Sequence, residues 1–131
     1  MPVKKTLKSI TNKLDNVVRK IVRLRDEVCV TCGFNDTLQV SHYISRTHIS
    51  TRWSLVNCNL QCASCHLRDF HGGFVVNYQK YLISKHGEGI IESLENEGRK
   101  LACDVGLSKY YQREELFKSL SQQLKEFEKN V

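Results

Sequence analysis

A small α+β fold, a metal-stapled hairpin and helix flanked by helices at both ends, is predicted by three features of this sequence. Two C-x-x-C pairs, Cys29/Cys32 and Cys62/Cys65, lie thirty residues apart. Between them, Thr37-Leu38-Gln39-Val40-Ser41-His42-Tyr43-Ile44 alternates as a half-buried strand does. Outside them, apolar residues recur at spacings of three and four. The length of 131 residues suits one domain, read as an N-terminal basic amphipathic helix (1–28), a core (29–71) and a helical C-terminal part of that same domain (72–131).

Residues 4–28 predict a single helix. Leu7, Ile10, Leu14, Val17, Ile21, Leu24 and Val28 form a heptad-like stripe that Val18 and Val22 widen. The first cysteine pair then makes a knuckle in which Gly33 suits a turn of positive φ. A strand follows over 37–44, a loop over 45–50, and a second short strand near 57–61. The second pair opens a helix that runs to about Phe70, where Gly72-Gly73 breaks it. Further helices are predicted over 74–85 and 90–99, and Ser108 is expected to cap a last one reaching Lys129. That last stripe packs either on the N-terminal helix or on a second subunit.

Composition narrows the function. No apolar run is long enough to cross a membrane, and no apolar run follows Met1-Pro2-Val3-Lys4-Lys5 as it would in a secretory signal. Residues 1–70 hold 11 Lys/Arg against 5 Asp/Glu, whereas residues 71–131 hold 9 of each. The basic surplus fits either a nucleic-acid partner or a soluble protein with one basic face. Two C-x-x-C pairs point to one tetrahedral zinc with four thiolate ligands, which also supplies folding energy to a small core. Cys58 and Cys103 are left over and read as buried thiols.

His42, Asn57 and His66 lie between and beside the cysteine pairs. A His on a strand, an Asn in the connection and a His opening a helix converge when a hairpin packs on that helix. A neutral imidazole accepts a proton from water near neutral pH, and a divalent ion held by the other His stabilises a leaving oxygen. The set therefore suits metal-assisted phosphodiester hydrolysis.

The frame Cys29-x-x-Cys32, His42, Asn57, Cys62-x-x-Cys65-His66 resembles the HNH (ββα-metal) endonucleases with a structural zinc and a treble-clef-like core. With Ser41-His42-Tyr43-Ile44-Ser45-Arg46, Arg52-Trp53 and Gly73 through Asn77-Tyr78, it resembles more narrowly the phage NinG/Rap recombination endonucleases over about residues 25–100. The resemblance implies His42 as general base, Asn57 as the middle Asn and His66 as ligand of a catalytic Mg²⁺ or Mn²⁺. It implies Arg46 and Arg52 at the scissile phosphate. Lys20, Arg23 and Arg25 on the basic helix are candidate DNA contacts. Many HNH enzymes carry a second metal ligand just before the base, where this chain has Ser41. His48, Asp69 and His71 are candidates to replace it, Asp69 because it lies one turn after His66. Asn77 matches the narrower family without a clear role, and Tyr78 reads as packing.

The resemblance further implies a DNA endonuclease for branched recombination intermediates such as Holliday junctions or D-loops. The setting would be a phage or prophage protein in the bacterial cytoplasm, expected as a homodimer and with recombination proteins as possible partners. The alternatives are a general HNH nuclease cutting linear duplex and a non-catalytic zinc-finger module that binds DNA.

Overall fold

Thr6 starts the first helix. Its hydroxyl oxygen accepts the Ser9 N–H at 3.0 Å while the Ser9 hydroxyl accepts the Thr6 N–H at 3.1 Å, so two orphan donors are satisfied reciprocally. In the computed structural model, which describes residues 5–71 and 75–130, this helix α1 spans Leu7–Asp26. It stops two residues short of the expected Val28 because Glu27 turns to φ 65°, a left-handed value that ends the helical ladder. The middle of the predicted stripe is buried, at Ile10, Leu14, Val17 and Ile21 with Val18 and Val22 beside them, whereas its ends, Leu7 and Val28, are exposed because they lie at or beyond the termini of the helix.

What covers that stripe is the far end of the chain. Helix α6 (Tyr110–Lys129) lays Leu116, Phe117, Leu120, Leu124 and Phe127 on it, so the two near-heptad faces satisfy one another within one chain. Ser108 is not the cap of α6. Lys109 is the residue before the first turn, and its N–H donates to the Gln112 side chain at 3.0 Å.

The hairpin is β1 (Leu38–His42) and β2 (Cys58–Cys62), antiparallel, with His42 opposite Cys58 and Leu38 opposite Cys62. Both strands are shorter than, or shifted from, their predicted spans by one or two residues. A short helix α2 (Ile49–Arg52) occupies part of the connection expected to be loop. Every residue of β2 is buried, on both faces. Cys58 and Leu60 join the α1/α6 core. Asn59 and Gln61 point the other way and donate there: Asn59 Nδ2 to the Tyr78 hydroxyl at 2.9 Å and Gln61 Nε2 to Asp69 at 2.7 Å.

Helix α3 (Ala63–His71) follows β2 directly, and the Thr37 hydroxyl accepts the Ala63 N–H at its start. Helices α4 (Val76–His86) and α5 (Ile90–Gly98) form a second small core of Tyr78, Leu82 and Leu94 against Tyr43 and Ile44, and a one-turn helix at Cys103–Val105 leads into α6. The expected break at Gly72-Gly73, the start at Phe74 and the side chain of His71 lie outside the described residues. Cys58 is a buried thiol as expected, but Cys103 is exposed, because it sits on the surface turn before α6.

Gly98 closes this second core. A Cβ there would stand 2.9 Å from Ile44 Cγ2, a branch that cannot swing clear of its own backbone. Gly98→Ala should therefore destabilise the protein by about 1–3 kcal/mol through overpacking, although alanine is the better helix former. A urea midpoint equal to or above wild type would contradict this packing.

Candidate functional site

The four-cysteine cluster is assembled from the two ends of the core. The Gly33 N–H donates to the Cys29 carbonyl and the Cys29 N–H to the Phe34 carbonyl, folding the knuckle around Gly33 at φ 80°. The second pair comes from the last residue of β2 and the first turn of α3. The four ligand atoms of Cys29, Cys32, Cys62 and Cys65 all lie within 4.8 Å of one another. Cys32 Sγ and Cys62 Sγ are 3.7 Å apart, close to the edge of about 3.8 Å that a tetrahedron of thiolates at 2.3 Å from zinc requires. These four form a possible structural metal site, and among the described residues no other group of three or more His, Cys, Asp and Glu is placed to hold an ion.

His42 ends β1 with its ring half-buried. Its Nε2 lies 2.9 Å from the Arg52 carbonyl oxygen. A carbonyl only accepts, so Nε2 carries the proton and the neutral ring keeps its lone pair at Nδ1. Burial pushes the imidazole pKa below its ordinary value. The carbonyl bond and Asp15 oppose that shift, and the cations Arg52 and Arg46 add to it. His66 shows the complementary arrangement. Its Nδ1, the other ring nitrogen, lies 2.7 Å from Gln39 Oε1. His42, His66, Arg46, Val40 and Ser45 line one cavity of about 290 Å³.

Asn57 is fully buried and works on the main chain, not on the His42 ring. Its Oδ1 accepts the Ile44 N–H at 2.7 Å, and its Nδ2 donates to the carbonyls of Ile44 and Thr51 at 3.0 and 3.1 Å. One amide thus clasps the chain just after His42 to helix α2. Tyr78, also buried, donates to the Ser41 carbonyl at 3.0 Å and meets Tyr43 edge-on at 5.5 Å between centroids. It is a packing residue with a structural hydroxyl. Asn77 is exposed on α4.

Ser41, in place of the second ligand, and two of the candidates to replace it, Asp69 and His48, lie apart from one another. Ser41 is fully buried and its hydroxyl has no hydrogen-bond partner among the described residues. Asp69 shares a helix with His66 but turns inward: one oxygen accepts from Gln61, the other lies 3.5 Å from Arg68 Nε, and the residue is absent from the lining of the His42–His66 cavity. One helical turn set the two side chains near each other in sequence, but the polar underside of β2 claimed the carboxylate. His48 is exposed just before α2.

The basic residues sort into three groups. Arg23 lines a larger cleft of about 580 Å³ between α1 and the hairpin, together with Arg19, Arg46, Arg52 and His42. Arg25 does not: its guanidinium donates to the Leu55 and Cys58 carbonyls at 2.6 and 2.8 Å and pairs with Asp26, holding α1 to β2. Lys20 faces the α6 side, beside Phe117 and Leu124. Arg52 is tied in a two-pronged ion pair to Asp15, at 3.1 and 2.8 Å, and offers the site its main-chain carbonyl more than its charge. Arg46 is exposed at the mouth shared by both cavities.

Sequence reasoning missed Asp15, Gln39 and Arg19. Arg19 and Asp15 follow Asn12 by seven and three residues and share the polar flank of α1 that lines the cleft. That periodicity was readable. Gln39 carried no signal, since its partner His66 lies twenty-seven positions away.

Among the described residues no helix is long and apolar enough to cross a membrane. Comparison of the chain with curated proteins and with solved structures gives no match. The sequence model of the family described as Bacteriophage Lambda NinG protein matches residues 2–129, nearly the entire chain. The knuckle, the hairpin, the two histidines and the enclosing helices all fall inside that span, and the chain belongs to the NinG family.

Proposed function

We propose that this protein is a metal-dependent DNA endonuclease of the HNH (ββα-metal) type, acting on branched recombination intermediates. One observation carries the reading: His42 and His66 share a small cavity, and the Arg52 carbonyl on His42 Nε2 puts the lone pair of that neutral ring at Nδ1. That imidazole is thereby set up as a base, with the other beside it as a ligand. Membership of a phage family supports the recombination setting, in the host cytoplasm with recombination proteins at hand. The shape of the α1 cleft, open and lined by arginines, supports an anionic polymer as substrate.

In this reading Nδ1 of His42 takes the proton of the attacking water. The Arg52 carbonyl holds the ring in the needed tautomer, and Asn57 holds the segment behind it. Arg46 at the cavity mouth and Arg23 and Arg19 along α1 neutralise phosphates. His66 would be the protein side chain that holds Mg²⁺ or Mn²⁺. No described carboxylate lines that cavity, so a hard ion there would depend on water and substrate phosphate oxygen besides His66. When bound, the ion supplies charge stabilisation at the leaving 3′ oxygen, leaving 5′-phosphate and 3′-hydroxyl ends. Zinc at the four cysteines is structural. With the α1 and α6 stripes consumed within the chain, paired cuts across a junction would need another interface or two successive events.

A labelled four-way junction should be cut with Mg²⁺ or Mn²⁺ and not with EDTA. His42→Ala should lower the rate by about 10²–10⁴-fold with fold and zinc retained. Equal cutting of linear duplex would move the assignment to a general nuclease; DNA binding without cutting in any metal would leave a zinc-finger module. Because His42 titrates below its ordinary value near 6.5, the rate should rise with pH through a midpoint under about 6.5 and be level above it. A midpoint above 7 would contradict His42 as the base. Purified protein should carry one zinc per chain, and Cys62→Ser should lose the metal and the cooperative unfolding transition together. Full stability without zinc would contradict the structural role.

A further inference from the structure

The ring of His42 is held by a carbonyl, and that carbonyl is itself held. Arg52 and Trp53 end helix α2, and both side chains converge on one carboxylate of α1. Asp15 Oδ1 accepts from Arg52 Nε at 3.1 Å and from Trp53 Nε1 at 2.8 Å, while Oδ2 accepts from Arg52 at 2.8 Å. Two adjacent side chains are thus fixed by three hydrogen bonds to a single residue, and the peptide between them presents its oxygen to His42 Nε2 at 2.9 Å. The buried Cys58 thiol donates to the same oxygen at 3.2 Å.

We propose that Asp15 is a positioning residue for His42: it fixes the Arg52–Trp53 peptide whose carbonyl sets the tautomer and direction of the imidazole. The proposal rests on the reading of His42 as the base. Asp15 does not touch substrate in this account and acts only through Arg52 and Trp53. It is also the sole acidic residue on a stretch of α1 otherwise basic or neutral from Leu7 to Arg25. Anchoring α1 does not require it, since the buried stripe and the Arg25–Asp26 clasp already do so.

Electrostatics follow the same path. Burial would raise the Asp15 carboxyl, but the bonds from Arg52 and Trp53 outweigh it and keep it below its ordinary value, so it is charged throughout the working range. Around His42 stand Asp15 from α1, Arg52 from α2, Arg46 from the connection, His66 from α3 and Cys58 from β2. Only Asp15 is anionic. Its charge favours the imidazolium, while Arg52 and Arg46 disfavour it. Removing the charge should lower the His42 midpoint further.

The test is an NMR titration of ¹⁵N-histidine-labelled full-length zinc protein, comparing wild type, Asp15→Asn, Asp15→Glu and Leu14→Ala. Asp15→Asn should move the His42 midpoint to lower pH and reduce its Nε2–H tautomer. Asp15→Glu keeps the charge and should hold the midpoint while disturbing the tautomer. Leu14→Ala removes a buried contact one residue away and should lower stability with both readouts unchanged. In junction cleavage, Asp15→Asn should lower kcat about tenfold with little change in KM, and move the acidic limb downward. A His42 midpoint and tautomer in Asp15→Asn equal to wild type would overturn the proposal. Because the titration needs no cleavage, an absence of nuclease activity would defeat the proposed function and leave this coupling to be judged by itself.

Discussion

A two-stranded sheet offers two open edges, and the outer edge of β2 is the one this molecule cannot leave open, because β2 is buried on both faces. Unpaired amides and carbonyls there would cost several kcal/mol in an apolar setting. The last turn of α1 closes it. Asp26 accepts the Leu60 N–H at 2.9 Å, Arg25 donates to the Cys58 carbonyl, and the Val30 N–H donates to the Leu60 carbonyl. Burial of β2 is what permits Asn57, Asn59 and Gln61 to organise the opposite side. The four cysteines fasten the same strand at its other end.

Seen from the site, the structure is a set of clasps on main-chain atoms. Asn57 grips the backbone of Ile44, Tyr78 that of Ser41, and Arg52 that of Arg46 at 3.2 Å. The side chains facing the cleft, Arg19, Arg23 and Arg46, are by contrast exposed and lightly held. Rigidity is concentrated beneath the histidines and adaptability lies around them. Under the function proposed above, that division would let the arginines adapt to a flexible polyanion while the imidazoles stay fixed.

Much of this was legible from the residues. The cysteine spacing gave the metal cluster, and the apolar periodicities of α1 and α6 gave two helices with their buried faces. His42 and His66 fell into one cavity as their positions on strand and helix implied. What escaped is what depends on distant partners. Arg25 and Arg23 are two residues apart and look alike in sequence, but only the first meets the carbonyls of Leu55 and Cys58, some thirty positions on. Asp69 reads as a solvated helix charge until Gln61 is placed beneath it. Arg52 reads as a free cation until Asp15, thirty-seven positions earlier, is placed beside it. Local pattern predicts which face a residue occupies and is silent on who waits there.

The pairing of α1 with α6 joins segments about a hundred residues apart and makes the most extensive contact between helices in the protein. During synthesis the apolar face of α1 emerges well before α6 and has no lid until α6 has left the ribosome. Such a long closure is entropically slow and leaves a sticky helix exposed meanwhile. Since α1 is also one wall of the arginine-lined cleft, the wall is the last part of the molecule to be locked in place. A chain lacking α6 would still hold the cysteine knuckle and the hairpin, and yet one wall of its groove would have nothing packed behind it.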